Sequence, residues 1–470
     1  MQLKTISSAA AMLLCLACAA SSLRADADIT AVANEVTKSL VAVEYTARNE
    51  NNSREESGQG ILIHKDSSGA VILVSGSFIS ENMPKEWIKD LKVRLPLKNF
   101  TSVDAKLLGR TQDRLFAFLK TEKPVEAPVF NPGDLAPSSL GEEVFAIAIL
   151  GKSGGYQTYT GATRVKAILD LTHVMVNTQA FGLTRGTSPV FDLQSGKCVG
   201  ITLPALGENM VLRDSSGFRR IELVDDDQGN GYLPAEEVAP LFKNIPTAPF
   251  ETHRPWLGLD EITGISEDIR TVKKIDQISG VMVGAVIAGE AADKAGLAPQ
   301  DIILTVDGKP FSTSPVPEIM VMHFQRALEK HKAGDTLTLG ILRGDKKMDL
   351  PVTLAAAPKT SGEMPHVYSA KVGVTTRDLV FADAYARRLP QDTKGVMIAL
   401  VKNGAPSSLG STPLKVGDLV TKVNDDAVDN QQQFLAEMKK IEDAPDMKEA
   451  VFVVIHPDGN TQVCHIDLTK

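Results

Sequence analysis

Cysteine is scarce in this 470-residue chain: Cys15 and Cys18 stand near the start, and Cys198 and Cys464 in apolar, strand-like runs of separate segments. So few thiols, so far apart, exclude a disulfide framework and offer no zinc-ligand spacing; Cys198 and Cys464 read as buried free thiols. Positive charge is also in deficit, with 50 Lys and Arg against 58 Asp and Glu and a net charge of −8, which argues against a nucleic-acid partner. Beyond the start, no apolar run approaches the roughly 20 residues of a membrane-spanning helix, and no transmembrane segment is expected. Neither a cofactor nor a bound metal is expected from the motifs present.

What is there begins with "MQLKTISSAAAMLLCLACAASSLRADADIT", where Lys4 precedes an apolar stretch from Ala9 to Ala20 and the small residues Ala25 and Ala27 follow. That order is the order of a secretory signal peptide. Residues 1–27 are therefore expected to be removed, and the remainder to work outside the cytoplasm, in the periplasm.

Two Pro-rich stretches, residues 244–255 and 355–366, interrupt otherwise periodic sequence and read as linkers. They divide the mature chain into 28–245, 254–358 and 366–470. The two smaller segments repeat one another. "SGVMVGAVIAGEAADKAGLAPQDIILTVDGKPF" (279–311) and "KGVMIALVKNGAPSSLGSTPLKVGDLVTKVNDDAV" (394–428) share the order strand, small-residue turn, short helix, Asp, strand, turn, with Gly280 matching Gly395 and Asp301 matching Asp418. The larger segment is built of short runs such as "GQGILIHKDSSGAVILVSG" and "GEEVFAIAILG", bounded by Gly, Asp, Ser and Pro, which predicts a β-barrel or sandwich.

These residues resemble the HtrA/Deg family of secreted serine proteases. The resemblance implies a mainly β fold, a trypsin-like double β-barrel followed by two PDZ domains, each a small, partly open β-barrel with two helices. It also places the family's catalytic triad. The histidine position falls on Ser77 in "GQGILIHKDSSGAVILVSGSFI", the aspartate on Leu115 in "GRTQDRLFAFLK", and the nucleophile on Gly186 in "TRGTSP". A Ser-His-Asp hydrolase needs a base, a carboxylate to orient it and a nucleophile, and Ser77, Leu115 and Gly186 supply none of these. A rival alignment slides Ser188 into the nucleophile position. It leaves Ser188 followed by Pro189, which removes a backbone N–H, and His64 and His173 lie in the wrong places to serve it. Asp113, two residues before Leu115, reads as a loop residue.

The resemblance also implies peptide recognition. A PDZ domain adds an extended peptide to a sheet edge and receives its terminal carboxylate on a loop of backbone amides. "WLGL" (Trp256, Leu257, Gly258, Leu259) and "KVGV" (Lys371, Val372, Gly373, Val374) match that loop, and "EIMVMHFQRALEKH" and "NQQQFLAEMKKIED" are amphipathic helices suited to the opposite groove wall. A valine at Gly258 is expected to block the ligand while leaving the domain folded. "DDQGNGYLPAEE" (226–237) resembles a calcium loop, but with Gln228 at a ligand position it reads as a turn.

Three functions follow from these readings. The first is a pseudoprotease that binds C-terminal or unfolded segments of other proteins as an adaptor or chaperone. The second is an active serine endopeptidase of envelope quality control with a site rearranged around Ser188. The third is a structural subunit, forming a homo-oligomer or assembling with an active paralogue.

Overall fold

The computed structural model describes residues 29–470 except 96–100, 171–173, 179–185, 204–209, 215–216, 222–230, 252, 276–279, 315, 391 and 470. The expected signal segment and the first half of the calcium-like loop thus lie outside the described residues. A helix, α1 (29–37), leads into a closed barrel. Its strands are β1 (Leu40–Arg48), β2 (Ser53–Asp66), β3 (Gly69–Ser75), β4 (Ile88–Leu95), β5 (Thr101–Arg110) and β6 (Phe116–Thr121), in the order β1-β2-β3-β6-β5-β4. In β3, "GAVILVS", every residue is buried, as a continuous apolar run between glycine turns demands.

A second closed barrel follows, of β7 (Glu143–Ile149), β8 (Thr158–Asp170), β9 (Val174–Thr178), β10 (Pro189–Asp192), β11 (Cys198–Leu203) and, after a separate hairpin of β12 (Met210–Asp214) and β13 (Gly217–Ile221), β14 (Gly231–Pro234). Helix α2 (Ala235–Lys243) then packs Val238 against a core shared by both barrels, with Leu73 and Phe116 from the first and Phe145 and Phe191 from the second. Cys198 is buried in this core, and burial pushes its thiol up to about 12, far from reactivity.

The first repeat comprises β15 (Pro255–Trp256), β16 (Leu259–Gly264), α3 (Glu267–Lys273), β17 (Val281–Val286), α4 (Ala291–Lys294), β18 (Ile302–Val306), α5 (Pro317–Glu329), β19 (Thr336–Arg343), β20 (Lys346–Thr353) and β21 (Ala355–Ala356). Its five-stranded sheet runs β16-β17-β18-β19-β20, while β15 pairs with β21. Helix α5 was expected to present one apolar face; it buries two. Met320, Val321 and Phe324 enter the core of the repeat, whereas Met322 enters the barrel core. The unbroken apolar run from Ile319 to Met322 is the reason, because a helix apolar on more than one side must be covered on more than one side. The next turn fixes the same interface by polar contacts: His323 Nε2 lies 2.8 Å from the Asp170 carbonyl oxygen, and Arg326 donates to Asp170 Oδ1 at 2.7 Å and Glu237 Oε1 at 2.6 Å. Both barrels, apart from Tyr45–Glu56 and Ile79–Leu91, form one compact unit with the first repeat.

The second compact unit contains Pro358–Lys470 together with Tyr45–Glu56 and Ile79–Leu91. Its elements are β22 (Val367–Ser369), β23 (Val374–Asp378), α6 (Phe381–Ala386), β24 (Val396–Val401), β25 (Leu419–Val423), β26 (Asp426–Ala427), α7 (Gln431–Glu442), β27 (Glu449–Ile455) and β28 (Thr461–Asp467). The order is β22-β23-β24-β25-β27-β28, with β26 paired to β25. Helix α7 sends Phe434, Met438 and Ile441 into the core at helical spacing and is capped by Asn430, whose side chain accepts from Gln433 N. Asn51 joins this unit through Val401 O at 2.8 Å and Asn403 N at 2.9 Å, and Glu50 accepts from Thr375 Oγ1 at 3.1 Å.

The two repeats agree at atomic level. Asp301 and Asp418 are both buried, and each accepts at 2.8 Å from the amide three residues before it, Ala298 and Lys415. Their counter-charges differ. Arg343 holds Asp301 with two bonds, at 2.7 and 2.6 Å, whereas His456 Nδ1 sits 2.6 Å from Asp418 Oδ1. Hydrogen bonds to Gln462 and Asp418 raise the His456 imidazole above its ordinary 6.5. The folded state therefore holds this proton more tightly than the unfolded chain. The resulting stabilisation is complete below pH 6.5 and is lost as pH rises through the raised value. His366, pushed below 6.5 chiefly by desolvation, titrates beneath this window. The second repeat is thus expected to unfold at a lower denaturant concentration at pH 8.5 than at pH 6.5, and His456→Arg to flatten the difference. An unchanged pH dependence in His456→Arg would assign it to another group.

Candidate functional site

The barrels place Ser77 next to Leu115, and Gly186 next to Gln59. Ser77 lies in the turn after β3, where its hydroxyl meets Ser75 Oγ at 2.9 Å. The preceding Gly76 donates its amide to Leu115 O at 2.7 Å, so the turn and the start of β6 are side by side. On the other side, the Phe78 ring covers Gly58, a Cβ at which would lie only 2.7 Å from it, and the carbonyl of Gln59 is the nearest atom to a Cβ built on Gly186, at 3.9 Å. At these three positions the side chains are a hydroxyl, an isobutyl group and none. Asp113 does not substitute: its Oδ1 accepts from Leu115 N at 2.9 Å and from Thr111 Oγ1 at 2.5 Å, capping the turn.

Ser188 is wholly buried. Its amide donates to Thr202 Oγ1 at 2.9 Å, its carbonyl accepts from Thr202 N at 2.8 Å, and its hydroxyl lies 3.0 Å from Gln59 Nε2. None of these partners is a base. His64, on β2, faces Asp66 at 3.9 Å, and His173 lies outside the described residues. The residue that organises this region is Gln59, which sequence reasoning missed. Its Nε2 also donates to Thr187 O at 2.6 Å, and its Oε1 accepts from Ile149 N at 2.6 Å. One buried amide from the first barrel therefore satisfies three groups of the second.

Each of the two loops holds its glycine at positive φ. In the first repeat, Gly258 has φ +75°, the Leu257 carbonyl accepts from Ala292 N at 2.7 Å, and the Gly258 carbonyl accepts from Ile287 N at 2.8 Å. Carbonyl and amide point oppositely across a trans peptide. With both carbonyls turned toward α4, the amides of Gly258 and Leu259 point to the other side, over the outer edge of β16. Leu257 is buried and anchors the loop; Trp256 continues it as β15. Gly258 is packed more tightly than expected, since a Cβ there would stand 2.1 Å from Glu290 Cβ. The expectation that valine at this position leaves the domain intact is therefore corrected.

In the second repeat, Gly373 has φ +85°, and the Val372 and Gly373 carbonyls accept from Ser407 N at 3.0 Å and Lys402 N at 2.9 Å. The loop has the same shape, with Lys371 and Val374 at its ends. Its outward amide is already engaged, because Gly373 N donates to Ser369 O at 2.8 Å. Among the described residues no cluster of acidic, His and Cys side chains suits a metal ion. Glu237, the last residue of the calcium-like stretch, is bound to Arg326.

Residues 260–354 match the PDZ domain family. A probable periplasmic serine endoprotease, DegP-like, of Pseudomonas savastanoi pv. phaseolicola is 25% identical over 80% of this chain and 73% of its own length. The periplasmic pH-dependent serine endoprotease DegQ of Escherichia coli is 24% identical over 82% of this chain and 75% of its own. Among solved structures, an AlgW variant, an HtrA-type protease with a decapeptide, superposes with a TM-score of 0.51 at 15% identity, covering 72% of this chain and 99% of that one. No helix among the described residues is long and apolar enough to cross a membrane. With a mainly β fold of two closed barrels, a matched PDZ domain following them in the chain and these relatives, the chain is similar to the HtrA/DegP-type proteases.

Proposed function

We propose that this chain is a periplasmic pseudoprotease of the HtrA family that captures the C-terminal ends of other proteins on its first PDZ domain, as an adaptor or chaperone, without cleaving them. The observation that carries the capture is the loop at Gly258, whose two outward amides stand at β16, the end strand of its sheet. A terminal carboxylate placed there receives charge-assisted hydrogen bonds, and the preceding residues extend the sheet as an added strand. The peptide-bound AlgW structures support this mode.

Loss of cleavage is supported by the side chains of Ser77, Leu115 and Gly186, none of which can act in a triad, and by the burial of Ser188 with no base among its described partners. Without a general base the Ser188 hydroxyl stays protonated and unreactive. The mature chain is expected to remain unlabelled by a fluorophosphonate probe and to leave unfolded casein intact. Labelling that disappears in Ser188→Ala would restore the endopeptidase reading. The capture step is tested separately by titrating the full mature chain with decapeptides from a C-terminal library, in free-acid and amidated forms. Amidation is expected to weaken binding at least tenfold, about 1.4 kcal/mol; equal affinities would assign the groove to internal segments.

A further inference from the structure

We infer that the second repeat does not read protein C-termini, because its groove strand is already occupied by the chain's own residues Val367–Ser369, held there as a resident ligand. In the first repeat the residues before the loop turn away, and Pro255 and Trp256 pair with Ala356 and Ala355 on β21, leaving β16 at the end of its sheet. In the second repeat the equivalent residues fold back. Val367, Tyr368 and Ser369 pair antiparallel with Thr376, Thr375 and Val374. This is the edge on which an augmenting peptide lies, and the polarity is also that of a bound C-terminus, since the last residue of β22 is the one beside the loop. The Gly373 amide, which would receive a carboxylate oxygen, instead donates to the Ser369 carbonyl at 2.8 Å. Upstream, His366 is buried with its ring centroid 5.8 Å from that of Trp87, edge-on, so the inserted strand is anchored at both ends.

This inference stands on β22 alone and is independent of peptide capture by the first repeat. It is tested by hydrogen exchange with mass-spectrometric readout on the full mature chain, using as probe a synthetic peptide of the sequence of residues 364–369 with a free carboxylate. Without peptide, the amides of residues 374–376 are expected to be as protected as those of a strand paired on both sides, and millimolar peptide to leave their exchange unchanged. In a Val367→Pro, Tyr368→Pro variant, which removes two N–H groups from β22, exchange at 374–376 is expected to rise at least tenfold and to be slowed again by the peptide. Fast exchange at 374–376 in the unmodified chain, or slowing of that exchange by added peptide, would overturn the inference. Should the variant lose protection in β27 and β28 as well, it has unfolded, and the unmodified chain decides. Exchange at residues 259–264 reports the first repeat separately, so failure of capture there leaves this result intact.

Discussion

Gly258→Ala is expected to unfold the first PDZ domain before any question of ligand affinity arises. Two costs coincide at this position. A residue with a Cβ at φ +75° loses about 1 to 2 kcal/mol relative to glycine. The added carbon would also stand 2.1 Å from Glu290 Cβ and 2.8 Å from Glu290 Cγ, where the start of α4 is fixed by its own bonds to the loop carbonyls. Relief requires moving that turn, and such overpacking costs about 1 to 3 kcal/mol more. The sum, about 4 kcal/mol, is a large part of the stability of an ordinary domain; Gly258→Val adds a branched side chain and is expected to be worse. Gly289 is the control, with a similar φ of +78° but nothing within 4 Å of an added Cβ. Chemical denaturation of the full mature chain checks the pair: Gly258→Ala should lower stability several times more than Gly289→Ala. Equal losses would mean that conformation alone matters and that the loop can move away from α4.

The second large effect is expected at Gln59. Its replacement by alanine strands three buried polar groups at once: the Ile149 amide, the Thr187 carbonyl and the Ser188 hydroxyl. Each stranded group costs about 1 to 3 kcal/mol, and a water admitted to the space left by the side chain recovers part of that. A net loss of about 3 kcal/mol is the expected result, read as a lower thermal midpoint for the barrels. Ser188→Ala removes only one of these contacts and is expected to cost about 1 kcal/mol. If Ser188→Ala proved the more damaging of the two, the serine and not the glutamine would be the organising residue.

The contrast between these residues shows what the sequence made legible. Glycines at positive φ, such as Gly258 and Gly373, could be read because the backbone they permit is a local property, and the repeat set them in register. Ser77, Leu115 and Gly186 could be singled out for a similar reason, since each position lies in a short motif with its own spacing. Gln59 could not. It is a polar residue at the end of the polar run that opens β2, and whether it faces solvent or the neighbouring barrel depends on residues 90 and more positions away. The same holds for Asn51, whose partners Val401 and Asn403 are some 350 residues distant, and for the different courses of β15 and β22, which follow similar linkers into similar loops.

The closeness of β22 to β23 in the chain has a kinetic and a concentration meaning. Only residues 370–373 separate the two strands, and a hairpin closes in roughly 1 to 10 μs, faster than a dilute protein terminus can arrive by diffusion. Once closed, the tether presents β22 to its edge at an effective concentration of about 1 mM or more. A free terminus at about 1 μM with the same intrinsic affinity would hold that edge about one part in a thousand of the time. To displace β22 it would need about 4 kcal/mol of additional binding free energy. Two loops of nearly identical backbone are in this way separated in ligand sensitivity by about three orders of magnitude, through chain connectivity alone.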